Sequence, residues 1–184
     1  NMKITRLFIT VTYCIFLFCS SLSHADDSGR SKIGFDIKGF KANPQNNIGW
    51  LVGGRWAGYF GTSQVYMGLA TYFGAPTGLN IQQEKMYYGG LIFGVDKKIS
   101  KWGAFEANLL LGYGEGELKR FGINERSHYV VEPGFGFGAS LGGGWRLTFA
   151  ASYLHMANAT NISGPTFGFR FALRSGSSSK AAND

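Results

Sequence analysis

Seven charged residues recur at alternate positions within glycine-rich or apolar segments, a spacing that places them on one face of each segment. The set contains four cations and three anions, so its chemistry is that of ion pairing. They are Asp36, Lys38, Arg55, Glu106, Glu132, Arg146 and Arg170. Burying such charges unpaired is prohibitively unfavourable, so we expect a network of salt bridges and hydrogen bonds. An ion path lined by the same residues is the alternative.

A second candidate for chemistry is His155, near the end of the seventh apolar-alternating segment. Serine hydrolysis needs a hydroxyl nucleophile, a base within hydrogen-bond reach and a group that orients the base. For such chemistry, a hydroxyl such as that of Ser152 or Thr160 would have to approach His155 within about 3.2 Å. The acidic residue available to orient the histidine is Glu132, but its phase along its own segment places it on the inner face, whereas His155 has the outward phase. The structural alternative is an amphipathic histidine at a membrane interface.

The elements that would position these residues are eight segments in which large apolar residues alternate with small or charged ones. Period-two alternation over about ten residues, interrupted by turn residues, is typical of transmembrane β-strands. Glycine at this frequency disfavours helices. We therefore predict an all-β fold, an eight-stranded antiparallel up-and-down transmembrane barrel. The predicted strands are 32–42, 48–60, 63–74, 85–96, 103–114, 128–141, 144–156 and 165–174.

A soluble barrel or sandwich would also alternate, but with apolar residues inside and charges facing water. Here the bulky face carries almost no charge, and aromatic residues collect near strand ends, as in the interfacial girdles of membrane barrels. Both features favour the membrane interpretation. The predicted girdle residues are Trp50, Tyr59, Phe60, Tyr72, Phe73, Tyr87, Trp102, Tyr113, Tyr129, Trp145 and Tyr153.

The N-terminal segment has the layout of a secretory signal peptide. Lys3 and Arg6 precede an apolar run from Leu7 to Phe18, and Ser23-His24-Ala25 resembles a cleavage site. The run is shorter than the roughly 20 residues that a spanning helix needs. We expect residues 1–25 to be removed, residues 26–174 to form the barrel, and residues 175–184 to be a disordered periplasmic tail.

Cleavage after residue 25 would remove both cysteines, Cys14 and Cys19, and lower the net charge from +7 to +5. The remaining histidines are scattered and show no metal-ligand spacing. We therefore expect no metal and no cofactor. The basic residues are dispersed along the chain, a pattern that does not indicate nucleic-acid binding.

The predicted turns alternate in length, and the longest are 75–84 and 115–127. Periplasmic turns of membrane barrels are short and extracellular loops are longer. The first, third, fifth and seventh connections should therefore lie outside the cell, with both chain ends in the periplasm. In the fifth connection, Lys119 and Arg120 are candidates to contact lipopolysaccharide phosphates.

The strand pattern, the signal peptide and the stretch Gly168-Phe169-Arg170-Phe171 resemble the small eight-stranded outer-membrane barrels of Gram-negative bacteria, the group of OmpA-type barrel domains and OmpX-like proteins. That stretch is similar to the signal read by the barrel assembly machinery. The resemblance covers the whole mature chain and implies the bacterial outer membrane, with outer-membrane lipid and lipopolysaccharide as surroundings. It describes an architecture, which does not by itself imply a function.

A local likeness lies at the end of the seventh strand. His155-Met156-Ala157-Asn158-Ala159 resembles the His-x-Ser-Asn-Ala stretch of PagL-type lipid A deacylases, in which the position of Ala157 holds the nucleophile. The resemblance implies either a lipid A acyl-ester hydrolase or a catalytically inactive relative.

The leading functional hypothesis is a monomeric, non-catalytic outer-membrane barrel with a polar, plugged lumen and a structural or loop-mediated role. A lipid A hydrolase and a narrow channel are the alternatives.

Overall fold

Eight antiparallel β-strands form one closed barrel in the computed structural model, which describes residues 30–42, 47–75, 84–118, 123–157 and 163–175. The predicted signal peptide, and the predicted tail beyond residue 175, lie outside these residues. The strands are β1 (Ser31–Ala42), β2 (Asn47–Tyr59), β3 (Val65–Ala75), β4 (Glu84–Lys98), β5 (Gly103–Leu118), β6 (Ile123–Gly142), β7 (Trp145–Met156) and β8 (Gly164–Ser175).

Each strand pairs with its neighbours in sequence, and β1 also pairs with β8, with Phe35 opposite Phe171. This confirms the predicted fold class and strand number. We call the end of the barrel where β1 begins and β8 ends the terminal rim, and the opposite end the loop rim. The connections 60–64, 99–102 and 143–144 lie at the terminal rim. Among the described residues, no helix is long and apolar enough to cross a membrane.

The fifth connection differs from the prediction. Residues 115–127 were expected to form a long loop, whereas β5 continues to Leu118 and β6 starts at Ile123. The backbone pairing of the two strands persists to Leu118 opposite Ile123, because a hairpin can extend its ladder whatever its side-chain polarity. β6 pairs with β7 only from Val130 onward, so the β5–β6 hairpin extends beyond β7 at the loop rim.

Side chains alternate between the two faces of every strand. Along β8, Phe167, Phe169 and Phe171 are exposed, while Arg170 between them is only 2% exposed. The same arrangement, which is the inverse of that in a soluble barrel, holds around the barrel. Exposed large apolar side chains cover the outer face, and charged ones turn inward. The girdle prediction is therefore wrong for two residues. Tyr59 and Tyr72 have the inward phase of their strands and are buried in the lumen.

Glycines allow neighbouring strands and bulky lumen side chains to pack closely. A Cβ at Gly68 would lie 1.9 Å from the Trp56 carbonyl oxygen, and one at Gly94 would meet the Tyr66 ring at 2.4 Å. Gly142, Gly143 and Gly144 have positive φ values of 91°, 57° and 82° at the β6–β7 turn, a conformation that other residues rarely adopt. The predicted tight glycine hairpin is thus present.

Replacing Gly68 by alanine should destabilise the barrel, because the added methyl collides with backbone rather than with a movable side chain. We expect the free energy of unfolding to fall by about 1–3 kcal/mol. Gly58 is the matched control, since it lies on the adjacent strand and a Cβ there would meet nothing within 4 Å. Urea unfolding in lipid vesicles, followed by the gel mobility of the folded form, measures both. Equal effects of G68A and G58A would contradict this packing argument.

Candidate functional site

The inner face of the barrel holds a network of nine charged side chains, which we call the lumen network. All seven residues predicted from their alternation face inward, and the structure adds Lys32 and Asp96. Eight of the nine are at most 5% exposed, and Arg146 is half-buried. The network comprises Lys32, Asp36, Lys38, Arg55, Asp96, Glu106, Glu132, Arg146 and Arg170.

Asp36 of β1 is clamped by arginines from both adjacent strands. The Arg55 Nε lies 2.8 Å from Oδ2, and the Arg170 Nε lies 2.6 Å from Oδ1. The Tyr72 hydroxyl donates a third hydrogen bond to Oδ2 at 2.8 Å. The carboxylate therefore has charged donors on both oxygens, which offsets the large cost of removing it from water.

Glu106 joins opposite walls of the barrel. It lies on β5, four strands from β1 in either direction, and its Oε2 accepts from the Lys32 Nζ at 2.5 Å. Its Oε1 accepts from the Arg170 Nη1 at 2.7 Å and from the Tyr66 hydroxyl at 2.5 Å, and lies 3.5 Å from the Arg55 Nη1. These contacts cross the lumen and tie five strands together.

Asp96 anchors the network near the terminal rim. Arg146 Nη1 lies 2.6 Å and 2.8 Å from its two carboxylate oxygens, and the Tyr59 hydroxyl donates at 2.7 Å. Lys32 Nζ lies 3.4 Å from the same carboxylate and so connects it to the contacts of Glu106.

Glu132 forms the part of the network nearer the loop rim. Its Oε1 accepts from Lys38 Nζ and from the Ser152 hydroxyl, both at 2.5 Å, and its Oε2 accepts from Tyr88 at 2.8 Å. The Thr166 hydroxyl in turn contacts Ser152 at 2.5 Å. Lys38 also lies 3.6 Å from the centre of the Tyr72 ring, a cation–π distance.

Apolar side chains fill the lumen beyond the network. On its own strand, each of them lies nearer the loop rim than the charged residue, and each is at most 2% exposed. This apolar layer consists of Phe40, Leu51, Met86, Val130, Leu154 and Met156. A cavity within the network, bordered by Lys38, Glu132 and Ser152, has a volume of about 10 Å³, room for about one water molecule.

The two groups of the hydrolase hypothesis that the structure describes, His155 and Ser152, lie on opposite faces of β7. The His155 ring lies on the exposed outer face of β7, opposite Val131 of β6. The hydroxyl of Ser152 faces the lumen and is bonded to Glu132, so the wall separates it from His155. Thr160, the other hydroxyl considered, lies outside the described residues, as do Lys119 and Arg120. The described part of the chain also contains no cluster of three potential metal ligands.

Sequence reasoning missed several members of the network. Lys32 has the phase of Asp36, and Asp96 has the phase of Tyr88, so alternation alone contained the signal for both. The tyrosine hydroxyls carried no such signal, since their partners come from strands distant in sequence. His128 also turns inward, and its Nδ1 lies 2.8 Å from the Ala157 carbonyl oxygen.

Comparison with known proteins supports the fold. The N-terminal β-barrel domain of Pseudomonas aeruginosa OprF aligns with a TM-score of 0.57 at 13% identity, over 79% of this chain and 96% of that one. Neisserial surface protein A aligns with a TM-score of 0.51 at 10% identity, over 80% and 96%. Both are small eight-stranded outer-membrane barrels. No family model and no curated protein matches the sequence.

Substituting Glu106 by glutamine should destabilise the folded barrel strongly, since Lys32 and Arg170 would lose the anion that both contact. We expect the free energy of unfolding to fall by about 3–5 kcal/mol, as for other buried pairs with one partner removed. Glu115→Gln is the control on the same strand, at a half-buried position bonded to Tyr87, with an expected change within about 0.5 kcal/mol. Urea titration in vesicles compares them. A small effect of E106Q would show that the network contributes little to stability.

Proposed function

We propose that this chain is an integral outer-membrane barrel with a sealed interior, which serves a structural role and supports the strands that extend past the loop rim. The filled lumen is the observation that carries the proposal. A passage for ions or solutes requires continuous water, and two different barriers occupy the interior in series.

Placement in a membrane is supported by the inverted distribution of polarity. Phe135, Phe149 and Phe169 are each at least 50% exposed in the central parts of their strands, whereas charged side chains are buried. Large exposed apolar surfaces of this extent are unfavourable in water and suit hydrocarbon. A closed barrel is one of the two architectures whose backbone groups can all be paired inside a bilayer. The fold shared with the OprF barrel domain supports the outer membrane as the location.

Sealing results from both layers of the lumen. In the network, Glu106 and its partners bridge opposite walls, and every cation contacts a carboxylate. An ion that entered would have to break several buried charge-assisted contacts. Apart from the inward-facing His128 ring, the apolar layer offers no polar groups to replace the ion's hydration shell, so entry from the loop rim is also unfavourable.

In planar bilayers, the purified wild-type barrel should therefore produce no conductance steps above those of a protein-free membrane. A large porin added to the same chamber provides the positive control for insertion and detection, and heat-dependent gel mobility verifies that the sample is folded. Reproducible steps from the folded barrel would refute a sealed interior and favour the narrow channel.

We also propose that the terminal rim faces the periplasm, with residues 1–25 acting as the export signal. Its three connections are short, as periplasmic turns are. The β5–β6 hairpin would then extend from the cell surface, because β6 runs past the start of its pairing with β7.

An epitope tag inserted between residues 119 and 122 should be accessible to antibody on intact cells. The same tag between Gly143 and Gly144, at the opposite end of the barrel, should become accessible only after the outer membrane is permeabilised. Both variants must retain the mobility of the folded form. Labelling of the 143–144 tag on intact cells would reverse the proposed orientation.

A further inference from the structure

One turn at the terminal rim combines exposed cationic and apolar side chains that take no part in the lumen network. The β4–β5 connection and the end of β4 contain Lys97, Lys98 and Lys101, all exposed. Ile99, between the lysines, and Trp102, directly after the last of them, are 62% and 75% exposed. We call these five residues the basic turn.

Within the part of the chain that the structure describes, no acidic side chain neutralises the positive charge of the basic turn. The acidic residue next to it in sequence, Asp96, points into the lumen, where Arg146 and Tyr59 hold it. Among the described residues, no carboxylate lies within ion-pair distance of the three lysines. Three compact ammonium groups are therefore available to an anion from outside the protein.

The backbone of the basic turn is held in one shape. The Ser100 hydroxyl accepts hydrogen bonds from the backbone N–H groups of Trp102 at 3.2 Å and Gly103 at 2.9 Å. The N–H groups of Ile99 and Ser100 donate to the Gly103 carbonyl oxygen at 2.9 Å and 3.1 Å. A turn ordered in this way loses little entropy when a ligand binds.

An apolar strip begins directly beside the lysines on the outer face. Lys97 has the outward phase of β4 and is paired with Phe105 across the β4–β5 ladder. The Phe105 ring packs against Phe137 with centroids 5.3 Å apart, and Val95 continues the strip toward the middle of the barrel. The cations thus lie where the hydrocarbon-facing surface ends.

The other two turns of this rim contain no charged residue of their own, and the one cation bonded to the 60–64 turn, Arg30, donates to the Gly61 and Ser63 carbonyl oxygens rather than standing unpaired. The connection 60–64 includes exposed Phe60, and the 143–144 turn is flanked by exposed Leu141 and Trp145. An interfacial apolar belt is therefore a property of the whole rim, whereas the three lysines distinguish one side of it.

We infer that the basic turn is a binding site for one anionic glycerophospholipid of the adjoining leaflet. The lysines would contact its phosphate, while Ile99 and Trp102 insert at the headgroup level and the acyl chains lie along Val95, Phe105 and Phe137. Lysine clusters beside a membrane surface attract anionic lipids in this manner. The inference rests on the proposed membrane placement but not on the sealed interior, since a conducting barrel would have the same outer surface.

Native mass spectrometry of the folded full chain in detergent micelles tests the site, with phosphatidylglycerol and phosphatidylethanolamine titrated separately. We expect phosphatidylglycerol to bind at least tenfold more tightly. Each of K97Q and K101Q should weaken that binding about fivefold, the factor that corresponds to about 1 kcal/mol per lysine, and K98Q should weaken it less, because Lys98 has the inward phase of β4. The preference should also decline as the salt concentration rises.

Lys41 supplies a matched control, because it is an exposed, outward-phase lysine at the end of a strand on the opposite rim. K41Q should keep phosphatidylglycerol affinity within twofold of the wild type. An equal loss in K41Q and K97Q, or equal binding of the two lipids, would overturn the site. Trp102→Ala should weaken both lipids by a similar factor, as loss of an apolar contact predicts. Full competition by glycerol phosphate at equal concentration would overturn a lipid as the occupant.

Discussion

The pairing of β1 with β8 is the constraint on which the rest of this structure depends. In hydrocarbon, an unpaired backbone N–H or C=O group costs several kcal/mol, so a sheet can cross a bilayer only if it has no free edge. Once the sheet closes with eight strands, the enclosed space is narrow enough for side chains to nearly fill it. Closure therefore determines the outer surface and the interior together, and the alternation of each strand must satisfy both.

The space enclosed by the strands is occupied by ion-paired charged side chains as well as by apolar ones. Glu106 and Asp36 hold strands from opposite and adjacent walls, and tyrosine hydroxyls complete their coordination. Glycines opposite these tyrosines provide the room, as where a Cβ at Gly53 would lie 2.2 Å from the Tyr72 ring. The network is therefore inseparable from the packing of the wall. Its ion pairs span the tube from one wall to the opposite one.

Alternation predicted the strands within a few residues, because a membrane barrel demands the period-two pattern on both faces at once. The prediction from alternation was wrong where a second sequence rule gave a different answer and was followed instead. Tyr59 and Tyr72 stand near strand ends, which suggested the girdle, but their phase directs them into the lumen. Residues 115–127 are polar and charged, which suggested a loop, but hairpin pairing extends through most of them because solvent-exposed strands tolerate polar side chains.

The residues of this chain by themselves determined which side chains face inward, since phase along a strand is a local property set by the pleat. They also specified the glycine turn, because positive φ at three successive positions admits little else. Only the tertiary structure decided which charges meet. Lys32 and Glu106 are 74 residues apart, and their contact depends on closure, register and strand tilt acting together. Ser152 and His155 are three positions apart and take opposite faces of β7 through the pleat alone, but only closure makes one of those faces the lumen and the other the outer surface.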